Sequence, residues 1–357
     1  MKDPDATNIL EDQLSATSAE SVPEDVLPPI GITPPQILAR DAARGSRGAA
    51  WRLLLAISKN EPQAVLAVSS TTDEQLVRNL VECIALGSWA GKSFTLPAQL
   101  RSAYARMRLR TLFLPGAGID TNLALRVLTE VARDARPGMR GTAIYLLGML
   151  GQRESLGILK NALKDPTPAV RMQAIDALGR LGDASAVPVL LQALHGADEH
   201  VGGHIFSSLV RLNHAAVPAL VQECKTASSP WIRWSCMRAL GEIRDRRSLL
   251  VLVNGLCDED HSVAWMAAKC LVSMGRMSVA PVLTLLTAKE TTPWLVETAS
   301  YVLRSVSQRE ARYRPYLNAL LEQMHEVGSR VVTPQVAFKI LSELEEAGLV
   351  KPEDAHI

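Results

Sequence analysis

Trp231, Trp234, Trp265 and Trp294 are four of the six tryptophans in this 357-residue chain, and Arg238, Lys269 and Tyr301 accompany them. Large rings beside cations suit recognition rather than bond making, because exposed rings offer apolar contact area and cationic groups stack on their faces. Asn161, Gln192 and Asn254 form a second set, which Gln222 joins once a one-residue deletion before Pro218 is allowed. Carboxamides both donate and accept, so a row of them can pair with the main chain of an extended peptide.

Catalytic and metal chemistry finds less support. His200 and His204 are four apart, near Asp198, Glu199 and His214, and two histidines at that spacing can share a metal on one helix face. No third ligand at diagnostic spacing accompanies them, so the sequence predicts no metal or other cofactor. Nucleophile elbows, phosphate-binding loops and dinucleotide fingerprints are absent, and no catalytic residue is assigned. The expectation is a non-enzymatic protein.

These side chains are carried on a repeat. From Asp165 to Leu194 the chain reads DPTPAVRMQAIDALGRLGDASAVPVLLQAL. Thr167 is an N-cap candidate and Pro168 a first helical residue, where a missing N–H costs nothing. Val170, Ala174, Ala177, Leu178 and Leu181 then fall on one helical face, and Gly182 offers a left-handed stop. A second helix starts near Asp183, tolerates Pro188 in its first turn, and presents Val187, Leu190, Leu191 and Leu194.

The unit recurs. Leu147, Leu178, Leu209, Leu240 and Leu271 are each 31 residues apart, with Leu303 one residue late. Pro137, Pro168, Pro230 and Pro293 repeat the helix start, and Arg140, Arg171 and Arg233 repeat one arginine. With Asp134, Asp165 and Asp258 at one loop position, these arginines predict an inter-repeat ladder. Neither helix buries its stripe alone, so the pattern predicts an all-α solenoid, an alpha-alpha superhelix of about seven or eight helix pairs.

In a solenoid one repeat position becomes a column. A residue advances about 100° per step, which puts position 172 nearly opposite the buried stripe. Trp234 and Trp265 occupy that position, Trp231 and Trp294 that of Ala169, and Arg238 and Tyr301 that of Asp176. The tryptophans therefore predict a strip on the outer quadrant, beside Arg238 and Lys269. It is either a surface for a partner or for self-association, or a strip in which Trp231 and Trp294 wedge between neighbouring first helices or which the chain's own tail covers. The carboxamides lie about 150° from the stripe of the second helix and are expected to be exposed, as a binding row or as ordinary polar surface.

The unit from Asp165 to Leu194 resembles the short HEAT-like repeats named after phycobiliprotein lyases, whose pattern D-x-x-x-x-V-R-x-x-A-x-x-A-L-G-x-L-G-D-x-x-A-V-P-x-L-x-x-A-L it meets almost completely. The resemblance extends from about Asp134 to Val306. It implies a fold and leaves activity open, since chromophore lyases, an iron-dependent hydroxylase and many adaptors share the repeat. The hydroxylase relatives need His-Glu pairs in repeated helices, whereas this chain has one such pair, His325-Glu326, outside the repeats. The resemblance keeps one rival to a protein-interaction scaffold or adaptor: a lyase-like enzyme or a chromophore or cofactor assembly factor using the concave groove.

Composition narrows the partner. Net charge is +1, aromatics make up 4% and hydrophobic residues 47%, which fits a soluble Ala/Leu-filled solenoid and argues against nucleic acid. Five cysteines, an odd number, include Cys236 and Cys270 at the positions of Ala174 and Ala177, so they read as buried small groups in a reducing, cytoplasmic setting. Residues 1–35 read as a disordered acidic, proline-rich leader, and no window is expected to span a membrane. Residues 36–119 read as degenerate helical repeats with a basic insertion holding Arg101, Tyr104, Arg106, Arg108 and Arg110. Residues 120–306 hold the regular repeats. Residues 307–357 read as a helical cap, with helices over 312–325 and 334–347 and Thr333 as the second cap residue.

Overall fold

In the computed structural model, residues 33–89, 112–114, 118–288, 292–324 and 329–351 are described. The acidic leader up to residue 32, the basic stretch from Arg101 to Arg110 and the His325-Glu326 pair lie outside them. The chain divides into two compact units, Met1–Leu181 and Gly182–Ile357. Every regular element among the described residues is helical.

The first unit contains α1 (Pro35–Ala43), α2 (Arg47–Ser58), α3 (Pro62–Ser69), α4 (Glu74–Trp89), α5 (Thr121–Val131), α6 (Pro137–Leu150), α7 (Leu156–Ala162) and α8 (Pro168–Leu181). Its core is mostly aliphatic, with Leu53, Leu54, Leu80, Leu128, Leu147 and Leu178 fully buried, as is Phe113. Ser46 and Asp120 start α2 and α5 by accepting the Ala49 and Leu123 amides.

The second unit alternates longer first helices with shorter second helices: α9 (Val187–Leu194), α10 (Glu199–Leu212), α11 (Val217–Thr226), α12 (Pro230–Ile243), α13 (Leu249–Gly255), α14 (His261–Met274), α15 (Val279–Ala288), α16 (Pro293–Arg309), α17 (Arg314–Met324) and α18 (Ser329–Glu346). First helices stack on first helices, α10 on α12, α12 on α14 and α14 on α16, while α11, α13 and α15 form the second row. Leu209, Leu240, Leu271 and Leu303, the marker leucines of the 31-residue period, are all buried. Asp198, Asp260 and Thr292 cap α10, α14 and α16 through the amides of Val201, of Ser262 and Val263, and of Leu295.

The helix stops repeat as strictly as the leucines. Gly151, Gly182, Asn213, Arg244 and Gly275 all have positive φ, between 52° and 73°. Two of these five residues carry side chains, so it is the positive φ that recurs and not the residue type; ψ is 18° at Gly151 and 37° at Arg244 but −134° at Asn213 and Gly275. Neighbouring first helices also approach closely: a Cβ on Gly241 would meet the Cys270 Sγ and Cβ, and one on Gly148 would come 2.6 Å from the Ala177 Cβ.

Two sequence expectations need correction. His261–Ala288 is a run long and apolar enough by composition to cross a membrane, contrary to the reading that no window qualifies. In the structure Gly275 breaks it into α14 and α15, and 67% of the window is buried against neighbouring helices, as a solenoid core requires. The last helix begins at Ser329, five residues before the expected Pro334, which lies inside it. Thr333 is a buried core residue rather than a cap.

Candidate functional site

The arginine column ties loops to helices. Arg140 and Arg233 donate from Nη1 to two carbonyls of their own preceding loop, those of Asp134 and Ala135 and those of Ala227 and Ser228, at 2.8–3.1 Å. Arg140 also grips Asp165 through Nε and Nη2, at 2.7 and 2.9 Å, and Arg233 grips Asp258 in the same way. Arg171 keeps only the carbonyl half, donating to Asp165 and Pro166. The residue 31 after Asp165 is Gly196, so the sequence lacks the acceptor there. Asp134 is met instead by Arg136 at 3.0 Å and Arg78 at 3.9 Å. These pairs hold Asp134 and Asp165 below the ordinary carboxylate range, the arginine hydrogen bond being the main cause. They build the frame.

On the first helices of the second unit, aromatic rings follow one another from repeat to repeat. Trp231 and Trp234 of α12 stack, with centroids 5.5 Å apart and planes 13° from parallel. Trp265 of α14 lies 6.4 Å from Trp294 and 4.8 Å from Tyr301, both on α16. Trp231 is 38% exposed and Tyr301 36%, while Trp234, Trp265 and Trp294 are partly buried. Trp231 leans over α10, where a Cβ on Gly202 would come 3.1 Å from its ring. The rings thus lie between neighbouring first helices and also reach solvent. Arg238 and Lys269 are exposed beside them.

Two members of this surface were not singled out in the sequence. Phe206 of α10 lies under the Arg238 guanidinium, 4.1 Å from ring centroid to Cζ, and Arg238 also sits 5.6 Å from the Trp234 centroid. His261 stacks on Trp294 at 4.0 Å. A signal for His261 existed: it stands where Pro137, Pro168, Pro230 and Pro293 start the other first helices. Phe206 gave none, since its position is that of the buried Ile175. Beside Trp294 lies a hollow of about 440 Å³ bordered by Cys257, Glu259, His261 and Thr292, and the buried Trp294 Nε1 meets no acceptor among the described residues.

The carboxamides sit on second helices and are exposed: Asn161 on α7 of the first unit, and Gln192 on α9, Gln222 on α11 and Asn254 on α13 of the second. His200 and His204 meet edge to face at 5.2 Å. His214 is engaged elsewhere, with its Nδ1 2.6 Å from Asp245. Among the described residues no three metal-binding side chains converge.

A family model of HEAT repeats matches residues 125–209 and 217–304. These residues are HEAT repeats. Among curated proteins none matches the chain. Solved structures similar to it include the HEAT-like repeat protein of the archaeon Thermococcus onnurineus, at 15% identity and a TM-score of 0.35, covering 53% of this chain and 88% of that one. The complex of CpcE and CpcF of phycocyanin lyase from Nostoc is similar at 16% identity and a TM-score of 0.32, covering 91% and 100%. The Kap95:Nup1 complex is similar at 14% identity and 0.38, covering 92% and 50%. In a helical-repeat stack each helix position returns on successive layers; Trp234 and Trp265 share one such position, Trp231 and Trp294 another.

Proposed function

We propose that the HEAT repeats of this chain form a non-enzymatic protein-interaction scaffold, an adaptor that takes a partner protein on the aromatic surface of α12, α14 and α16. The observation that supports this reading is the succession of Trp231, Trp234, Trp265, Trp294 and Tyr301 across three layers, still open to solvent. Rings held by packing have little rotamer freedom left to lose on binding, and they are the residues that interface hot spots favour. The exposed amides Gln192, Gln222 and Asn254 offer a second surface in the same unit, and Asn161 one in the first. The same proposal includes a cytoplasmic setting, where the buried thiols Cys83, Cys224, Cys236 and Cys270 serve as small apolar core groups.

Affinity capture from the native host, with the wild type and with a folded Trp234→Ala, Trp265→Ala double variant, tests the reading. A protein held by the wild type and lost from the variant is the expected result. A protein held equally by both rejects the aromatic surface and makes Gln192, Gln222 and Asn254 the next targets. A stoichiometric chromophore or metal in the eluate rejects the non-enzymatic reading and favours a lyase-like or assembly role.

A further inference from the structure

Resting on that reading, we propose that Arg238 is a carboxylate receptor within the aromatic surface, so that the partner is an acidic segment with apolar side chains flanking its carboxylates. Arg238 and Arg233 lie on the same helix, α12, and are used in opposite ways. Arg233 is buried and spends its fork on Asp258. Arg238 is exposed, and among the described residues it makes no ion pair; Glu242, one turn further on, is also exposed and does not close on it. Its guanidinium is instead held by ring faces, Phe206 at 4.1 Å and Trp234 at 5.6 Å, with Trp231 stacked behind Trp234.

That arrangement prepares an anion site. Contacts to ring faces restrict a planar guanidinium, while the N–H donors that lie in its plane stay suited to a carboxylate. An arginine side chain carries about 2 kcal/mol of rotamer entropy, and stacking removes part of it before any ligand arrives. A carboxylate approaching in the plane accepts two parallel hydrogen bonds, and residues beside it in an extended segment meet Trp231 and Trp234. Lys269, 31 residues on and exposed on α14, gives the next layer a second cation. One fork and one ammonium in an aromatic field match spaced single charges better than a doubly charged group.

The test uses the full chain and two blocked synthetic peptides, Leu-Glu-Leu-Glu-Leu and Leu-Gln-Leu-Gln-Leu, titrated at low salt with tryptophan fluorescence as readout. The glutamate peptide is expected to bind about tenfold more tightly than the glutamine peptide. Arg238→Gln should bring the two to the same affinity while the chain stays folded, its melting temperature lowered by no more than a few degrees, and Arg238→Lys should restore part of the difference, because the charge returns without the fork. Equal affinities in the wild type, absence of binding by either peptide, or a difference that survives Arg238→Gln would overturn the inference.

Other occupants are separate outcomes, and each overturns it too. They are a phosphoserine peptide binding more than tenfold better than the glutamate peptide, dimerisation abolished by Arg238→Gln, or a marked gain in peptide affinity when Glu20, Glu24 and Asp25 of the chain's own leader are neutralised. If both peptides bind the wild type equally and neither binds the Trp234→Ala, Trp265→Ala variant, the aromatic surface stands and only the role of Arg238 falls.

Discussion

Asp258 accepts both the Nε and the Nη2 hydrogens of Arg233, at 2.8 Å each, across a sequence separation of 25 residues, and the same separation joins Arg140 to Asp165. The guanidinium of Arg233 is 8% exposed as a residue, so breaking this pair leaves a charge without a partner in a poorly solvated place. Asp258→Asn is expected to destabilise the second unit by about 2 kcal/mol, and Arg233→Lys by a similar amount because an ammonium cannot serve two carbonyls and a carboxylate at once. Urea unfolding of each variant measures it. Loss of less than about 0.5 kcal/mol would mean that solvent replaces the carboxylate freely.

The acid limb of stability follows from the same chemistry. Asp134, Asp165 and Asp245 are held below their ordinary values by hydrogen bonds from Arg136, Arg140 and Arg247 respectively. A carboxylate with a depressed folded pKa stabilises the fold above its unfolded value, about 3.9, and that contribution is lost as pH falls towards the folded value. Asp165→Asn should therefore be less stable than the wild type at pH 7, and the gap should narrow as pH drops below about 4. Melting curves at pH 7, 5 and 3 give the comparison; a gap independent of pH would show that the loss is steric.

Arg244 holds the left-handed stop that Gly151 holds in another repeat, with φ of 56° and ψ of 37°. The conformation costs a residue with a side chain about 1–2 kcal/mol, while glycine loses about 0.5–1 kcal/mol more backbone freedom on folding. Arg244→Gly is expected to stabilise the second unit by roughly 0.5–1 kcal/mol, against the usual direction for a glycine substitution. A lower melting temperature would show that the exposed Arg244 side chain makes a contribution larger than the strain.

Thiol reactivity should separate one cysteine from four. Cys83, Cys224, Cys236 and Cys270 are buried, and Cys257 is exposed. Burial pushes the Cys83 and Cys270 thiols up to about 12, which removes the thiolate that reacts. An aromatic disulfide reagent at pH 8 should titrate one thiol in the native chain and five after unfolding. Fast reaction of a second thiol in the native state would reveal an opening in the packing, at α4 if it is Cys83 and between α11, α12 and α14 if it is one of the other three.

What was legible in the sequence was whatever recurs. The period exposed the marker leucines, the proline starts, the Gly182 stop and the burial of Cys236 and Cys270, since each is a small set of side chains meeting the same neighbours in every layer. The arginine ladder was legible at Arg140 and Arg233 and less so at Arg171, whose bonds run to loop carbonyls that no side-chain pattern announces. The exposure of Asn161, Gln192, Gln222 and Asn254 followed from helical angle alone. Contacts between layers were harder to read. Phe206 under Arg238 and His261 on Trp294 depend on how far one first helix is displaced past the next, a distance the spacing of residues along one chain does not contain. The start of α18 was misplaced for a related reason: Pro334 is tolerated inside a helix whose other bonds outweigh the one it removes.

The stacked pair of Trp231 and Trp234 also makes the surface its own optical probe. Two indoles 5.5 Å apart and 13° from parallel couple their electronic transitions, so the folded chain should show a paired near-ultraviolet dichroism signal. A partner that slides a side chain between the rings, or turns one of them, would erase that couplet without unfolding anything. Occupancy of the surface could then be followed by light alone, on the unlabelled protein.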